Sequence, residues 1–130
     1  MKFLMLMIPR VYQPSTPESE RAGEGFEPKL EDMEEMGKFN DDLAKAVKVL
    51  DIDGLHPIAK GARVTFAKGK ATVIDGPFIE SKEVIGGYWL VEANSKEELV
   101  ALAQRCPAAD GDVIEIRPIF DLSELAPEAK

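Results

Sequence analysis

With 130 residues, 45% of them hydrophobic and 31% charged, the chain has the size and make-up of one globular domain and excludes a disordered tail or a collagen-like repeat. A formal net charge of -8 disfavours direct nucleic-acid binding, which depends on clustered Lys and Arg against phosphate. Cys106, the single cysteine, cannot form an internal disulfide, so a reducing, cytoplasmic setting is the simpler expectation.

The first apolar run, Phe3 to Ile8, is shorter than a signal-peptide core of roughly 7 to 15 residues and stops at Pro9. No later stretch approaches the roughly 18 apolar residues of a membrane span, so no membrane association is expected. The run reads as a buried strand with Phe3, Met5 and Met7 on one side and Leu4, Leu6 and Ile8 on the other. Both sides need cover, and two helices can cover only one face of a sheet, which points to a second subunit.

Residues 14–28 have a loop composition, with Pro14, Pro17, Pro28, Gly23 and Gly25 among many charges. Between Glu18 and Glu35 eight carboxylates face only Arg21 and Lys29, a solvated acidic flank. From about Lys29, apolar residues recur at helical spacing (Met36, Phe39, Leu43, Val47, Leu50), predicting an amphipathic helix that Gly54 ends and Gly37 weakens. A short extended piece follows at Leu55 to Ala59. Arg63 to Ala67 and Ala71 to Asp75 then form a predicted hairpin around Lys68, Gly69 and Lys70.

Glu83 to Ala93 predicts a long strand, with Val84, Tyr88 and Leu90 on one face and Ile85, Trp89 and Val91 on the other. Ser95 and Glu98 spell a capping box for a second helix that buries Leu99, Leu102 and Ala103 and closes by Pro107. Val113 to Phe120 is the last strand, with Ile114, Ile116 and Phe120 on one face, and residues 122–130 form an irregular tail. The order predicts a single α+β domain over residues 1–130, a ferredoxin-like βαββαβ arrangement with an extra β-hairpin. The bare sheet face, expected to be rich in Met, Ile, Val and Trp, is too apolar for a monomer, and two such sheets packed face to face would cover it.

His56, the single histidine, is the natural general acid or base, or else a strand-edge residue with one structural hydrogen bond. With a lone histidine and no paired cysteines, no zinc site of the usual ligand types is expected, and no cofactor is expected. Asp75 either closes an Asx turn ahead of Gly76 and Pro77 or orients His56 and contacts substrate. Glu80, Lys82 and Glu83 are either a solvated loop or a polar cluster at a cleft between subunits. Arg63 can pair with one of these acids or hold an anionic ligand group. Gly86 and Gly87, costly inside a strand, imply a bulge or the close approach of a backbone or ligand, and the aromatics Tyr88 and Trp89 fill the core or a subunit interface. Phosphate-binding loops, G-x-G-x-x-G, G-x-S-x-G and EF-hand patterns are missing, and Cys106 reads as a structural thiol.

Asp75, Gly76, Pro77 and Phe78, followed by Glu80, Lys82, Glu83, Gly86, Gly87, Tyr88 and Trp89, closely resemble the signature of DGPF-domain proteins, a branch of the YCII-related superfamily. Phe39, Asn40 and Leu43, then Gly54, Leu55 and Pro57, Gly61 and Arg63, and Arg105 to Pro107 extend the likeness over most of the chain. The resemblance implies a dimeric α+β barrel of ferredoxin-like subunits. It also implies kinship with small-molecule enzymes that pair a first-helix histidine with an aspartate, one branch of which dehydrochlorinates a hydroxylated aromatic. DGPF relatives encoded with or fused to sigma factors imply a regulatory role. The first helix here carries no histidine, Phe39 standing about where one is expected, and His56 is the candidate replacement.

The leading expectation is a homodimer that binds or transforms a small polar or aromatic molecule in a pocket near the sheet interface. Asp75 and His56 handle protons, Arg63 and Lys82 hold a negative group, and Glu80, Glu83 and Trp89 complete the set. The alternative is a non-catalytic interaction module with a sigma factor as partner.

Overall fold

The alternating run at the start becomes strand β1 (Lys2–Ile8) in a computed structural model that describes residues 1–23, 25–76, 83–121 and 124. Helix α1 (Leu30–Ala46), strand β2 (Lys48–Gly54) and the hairpin β3 (Ala62–Ala67) and β4 (Lys70–Asp75) follow. Strand β5 (Gly87–Glu92), helix α2 (Lys96–Ala103) and strand β6 (Val113–Pro118) complete the order. Four strands form one antiparallel sheet in the order β2-β5-β1-β6, and β3 and β4 form a separate two-stranded sheet. The architecture is α+β, with β1 inside the larger sheet.

One face of that sheet is closed by both helices. Phe3 and Met5 of β1 and Trp89 and Val91 of β5 pack with Phe39 and Leu43 of α1 and Leu99 of α2, all buried. Removing each such side chain from water stabilises the fold by roughly 1.5–3 kcal/mol. α2 starts at the expected box: Glu98 donates its backbone N–H to Ser95 Oγ at 3.1 Å, while its carboxylate accepts from the Asn94 N–H, one residue earlier than the standard pattern.

The first helix is shorter than its spacing predicts, because residues 48–54 are strand β2. The register slips between Val49 and Asp51, so Leu50 sits in a bulge. Val49 and Ile52, three apart, then both pack against the core. The bulge therefore imitates a helical step in the sequence. Leu55 to Ala59 is not a strand; Leu55 donates its N–H to the Gly86 carbonyl at 2.9 Å and a 3-10 turn follows at Ile58–Lys60.

β5 begins at Gly87, not Glu83, since the preceding backbone has other partners. The buried Gln13 side chain donates to the Val84 carbonyl at 2.8 Å and accepts from the Val84 N–H at 2.7 Å. Gly86 donates its N–H to the Met7 carbonyl at 2.8 Å. A β-carbon at Gly86 would come within 2.5 Å of Pro9 Cγ, so glycine here serves close approach. Phe120 lies beyond β6 and is exposed, not packed with Ile114 and Ile116.

The hairpin turns through Lys68 and Gly69, whose φ values of 50° and 77° give the doubly positive turn that suits the strand twist. Every residue of β3 and β4 is exposed.

Candidate functional site

The open face of the larger sheet differs from expectation, because Met5, Trp89, Ile114 and Ile116 all belong to the helix-covered side. The register instead lines up Leu4 with Leu90 and Arg117, and Leu6 with Tyr88 and Glu115, on the uncovered side. Asp51 pairs with Leu90 and Asp53 with Tyr88, which sets both acids on that same face at the β2 edge. A half-buried apolar floor of Leu4, Leu6, Tyr88 and Leu90 is thus bounded by charge on both sides.

Tyr88 donates its hydroxyl to Asp51 Oδ2 at 2.8 Å. That bond to the carboxylate, with partial burial and then the charges of Asp51 and Asp53 behind it, raises the phenol pKa and keeps it a neutral donor. At the other positions, Lys48 lies 4.0 Å from Glu92 and Arg117 3.7 Å from Glu115. Phenol, carboxylate and apolar floor together can hold a small ring bearing a polar substituent, the ring on the leucines and the substituent on the pair.

A second junction lies where β4 ends. Gly76 donates its N–H to the Gly61 carbonyl at 2.8 Å, and a β-carbon on Gly76 would overlap the Ile58 carbonyl oxygen. Asp75 is therefore held, through its neighbour, against the turn that begins two residues after His56. Tyr12 closes the same region by donating its hydroxyl to the Leu55 carbonyl at 2.7 Å, and burial raises its phenol pKa.

The expected site residues distribute as follows. His56, Arg63, Asp75 and Glu83 are exposed. Asp75 stands opposite Ala62 and Arg63 opposite Ile74, so Asp75 and Arg63 point to opposite faces of the hairpin. Glu80 and Lys82 lie outside the described residues. Trp89 is 4% exposed in the core; its indole N–H donates to Asn40 Oδ1 at 2.7 Å and its ring meets Phe39 edge-on, 6.0 Å between centroids.

Asp51 is absent from the expected set because the sequence pattern assigns it to the first helix, and Tyr88 is expected only to fill the core or a subunit interface. The alternation in KVLDIDG, once read as a strand, is the signal that puts both acids on one side. Shallow grooves lie elsewhere among the described residues. One of about 540 Å³ runs between α2 and β6, past Val100, Gln104, Cys106 and Ile114. Another of about 440 Å³ is lined by Met1, Lys2, Glu92, Ile119 and Phe120. Neither includes His56, Arg63 or Asp75. Burial, then the charge of Asp112, pushes the Cys106 thiol up to about 11, consistent with an inert structural thiol. Among the described residues no group of three or more His, Cys, Asp or Glu side chains could hold a metal ion, and no helix is long and apolar enough to cross a membrane.

Residues 1–123 match the family model described as the YCII-related domain. The chain is also 27% identical over 89 residues to an uncharacterized protein of Rhizobium meliloti (strain 1021), a likeness covering 67% of this chain and 72% of that protein.

Proposed function

We propose the function from one premise, that this chain belongs to the YCII-related domain family. It acts as a cytoplasmic homodimer of the DGPF branch, a dimeric α+β barrel, and binds or transforms a small polar or aromatic molecule beside the sheet interface. The observation that carries this reading is the open sheet face, where the Tyr88–Asp51 pair sits on a leucine floor that one chain leaves uncovered. The Gly76 contact with Ile58 supports giving Asp75 and His56 the proton-handling role, since it holds the end of β4 against the turn after His56. Arg63 and Lys82 hold a negative group, and Glu80 and Glu83 complete the polar rim.

The test is a thermal-shift screen of phenols and small carboxylic acids against the native chain, Tyr88→Phe and Asp75→Asn. A ligand at 100 times its Kd stabilises the folded state by about 2.7 kcal/mol. We expect at least one phenol to shift the native chain and to lose most of that shift in Tyr88→Phe. No shift by any compound would end the small-molecule reading.

The second reading, a non-catalytic interaction module working through a sigma factor, draws support from the exposed apolar side chains of the hairpin. Retention of a sigma factor on the immobilised chain, lost in Phe66→Lys, is its expected outcome.

A further inference from the structure

The hairpin poses a physical problem that the rest of the chain does not solve. Ala62, Val64 and Phe66 of β3 share a face with Ala71 and Val73 of β4 by their register, with Asp75 at the root of that face opposite Ala62. Arg63, Thr65, Ala67, Lys70, Thr72 and Ile74 make up the other, more polar face. The hairpin is thus amphipathic, yet its apolar face stands in solvent, with Val64 53%, Phe66 78% and Val73 65% exposed. Neither strand packs extensively against any element other than its own partner. A two-stranded hairpin alone is marginal in water, so an apolar side of this kind implies something that covers it.

Charge and area both identify the cover. At the free end of the hairpin the turn carries Lys68, a cation in a chain whose net charge is -8. On the open sheet face Glu92 and Glu115 are paired with Lys48 and Arg117, while Asp51 and Asp53 have no cation within 4.0 Å among the described residues. The basic tip and the uncompensated acids are complementary. Strands about 4.8 Å apart with a rise of about 3.3 Å per residue give the open sheet face a footprint of about 400 Å² and the hairpin face about 200 Å². The sheet face alone falls well short of the roughly 800 Å² per partner of a standard interface; with the hairpin, about 600 Å² of footprint, the accessible area comes close.

We propose that β3–β4 is an exchanged arm of the homodimer. The arm lays Val64, Phe66 and Val73 over part of the Leu4, Leu6 and Leu90 floor of a second copy and brings Lys68, in the turn at its tip, to Asp51 and Asp53 there. The rest of each floor meets its two-fold counterpart. The site around Tyr88 and Asp51 is then composite, walled by the arm of the other copy. This rests on the homodimer reading above and adds the element that closes it.

The experiment is sedimentation velocity across a concentration series, with circular dichroism to verify folding. The native chain is expected to dimerise, and Phe66→Lys to weaken association about 10- to 100-fold, as losing one buried aromatic requires, with an unchanged spectrum. Lys68→Glu or Asp53→Lys alone should weaken the dimer, and the two together in one chain should restore it. In a Cys106→Ser background, Phe66→Cys with Leu6→Cys should form a disulfide between chains. A disulfide formed within one chain would show the arm on its own sheet and overturn the proposal. A native dimer that Phe66→Lys and the charge reversals leave unweakened would also overturn it while sparing the homodimer. A native chain that stays monomeric would overturn both.

Discussion

The four-stranded sheet and the β3–β4 hairpin use the same alternation of apolar and polar residues and end in opposite surroundings. In β1 the side chains of Phe3 and Met5 meet helices placed there by their own chain and are fully buried. In β3 and β4 the side chains of Val64, Phe66 and Val73 meet nothing of comparable extent and remain in solvent. Alternation therefore dictates which side of a strand wants cover. Whether cover arrives depends on what the topology brings opposite.

The contrast is broken most directly by truncation. Leu99→Ala, at a fully buried position, should cost about 2–5 kcal/mol in urea unfolding, whereas Phe66→Ala should cost about 0.5 kcal/mol or less in the monomer. Equal costs would mean that the hairpin face is covered within one chain.

Thiol chemistry gives the next largest separation. With its pKa pushed from the ordinary 9.0 to about 11, Cys106 carries about 100-fold less thiolate at pH 8, and iodoacetamide should alkylate it slower by a similar factor than a cysteine placed at Phe66→Cys. The sign follows from proton counting. Above pH 9 the unfolded thiol has lost a proton that the folded one keeps, so Cys106 lowers stability as pH rises from about 9 toward 11 and has no effect below. Comparable alkylation rates would contradict the burial.

The joint between the two regions is the third target. Gly76→Ala forces a methyl into the Ile58 carbonyl and should cost about 1–3 kcal/mol, with faster amide exchange at the root of β4 than in β5. The smallest effect belongs to the body alone: Ser95→Ala removes the acceptor for the Glu98 N–H and should cost about 1 kcal/mol in urea unfolding, with no effect on amide exchange in β3 or β4.

What the sequence made legible has a common cause. The hairpin and the start of α2 were readable because a two-residue turn at Lys68 and Gly69 and a cap at Ser95 are decided by neighbours in the chain. β1 was readable because its apolar run is bounded by Pro9. β2 was not, since the bulge at Leu50 gives Val49 and Ile52 a helix-like interval. The same misreading hid Asp51, whose bond to Tyr88 exists only through the β2–β5 register. Trp89 shows the opposite difficulty: an indole suits a ligand floor or a core equally well in sequence, and only Asn40 and Phe39 opposite it reveal that it fills the core.

The position of β1 between β5 and β6 also constrains the time course of folding. Its partners lie far along the chain, Met7 opposite Gly87 on one side and Phe3 opposite Pro118 on the other. Pairings of such high sequence separation form slowly, whereas β3 and β4, joined by two residues, close almost at once. On the ribosome, at about 5–20 residues per second, β1 must wait several seconds for its neighbours, whereas both strands of the hairpin emerge together. The apolar run of β1 and then the hairpin face thus both stand exposed before the chain has made the strands that flank β1.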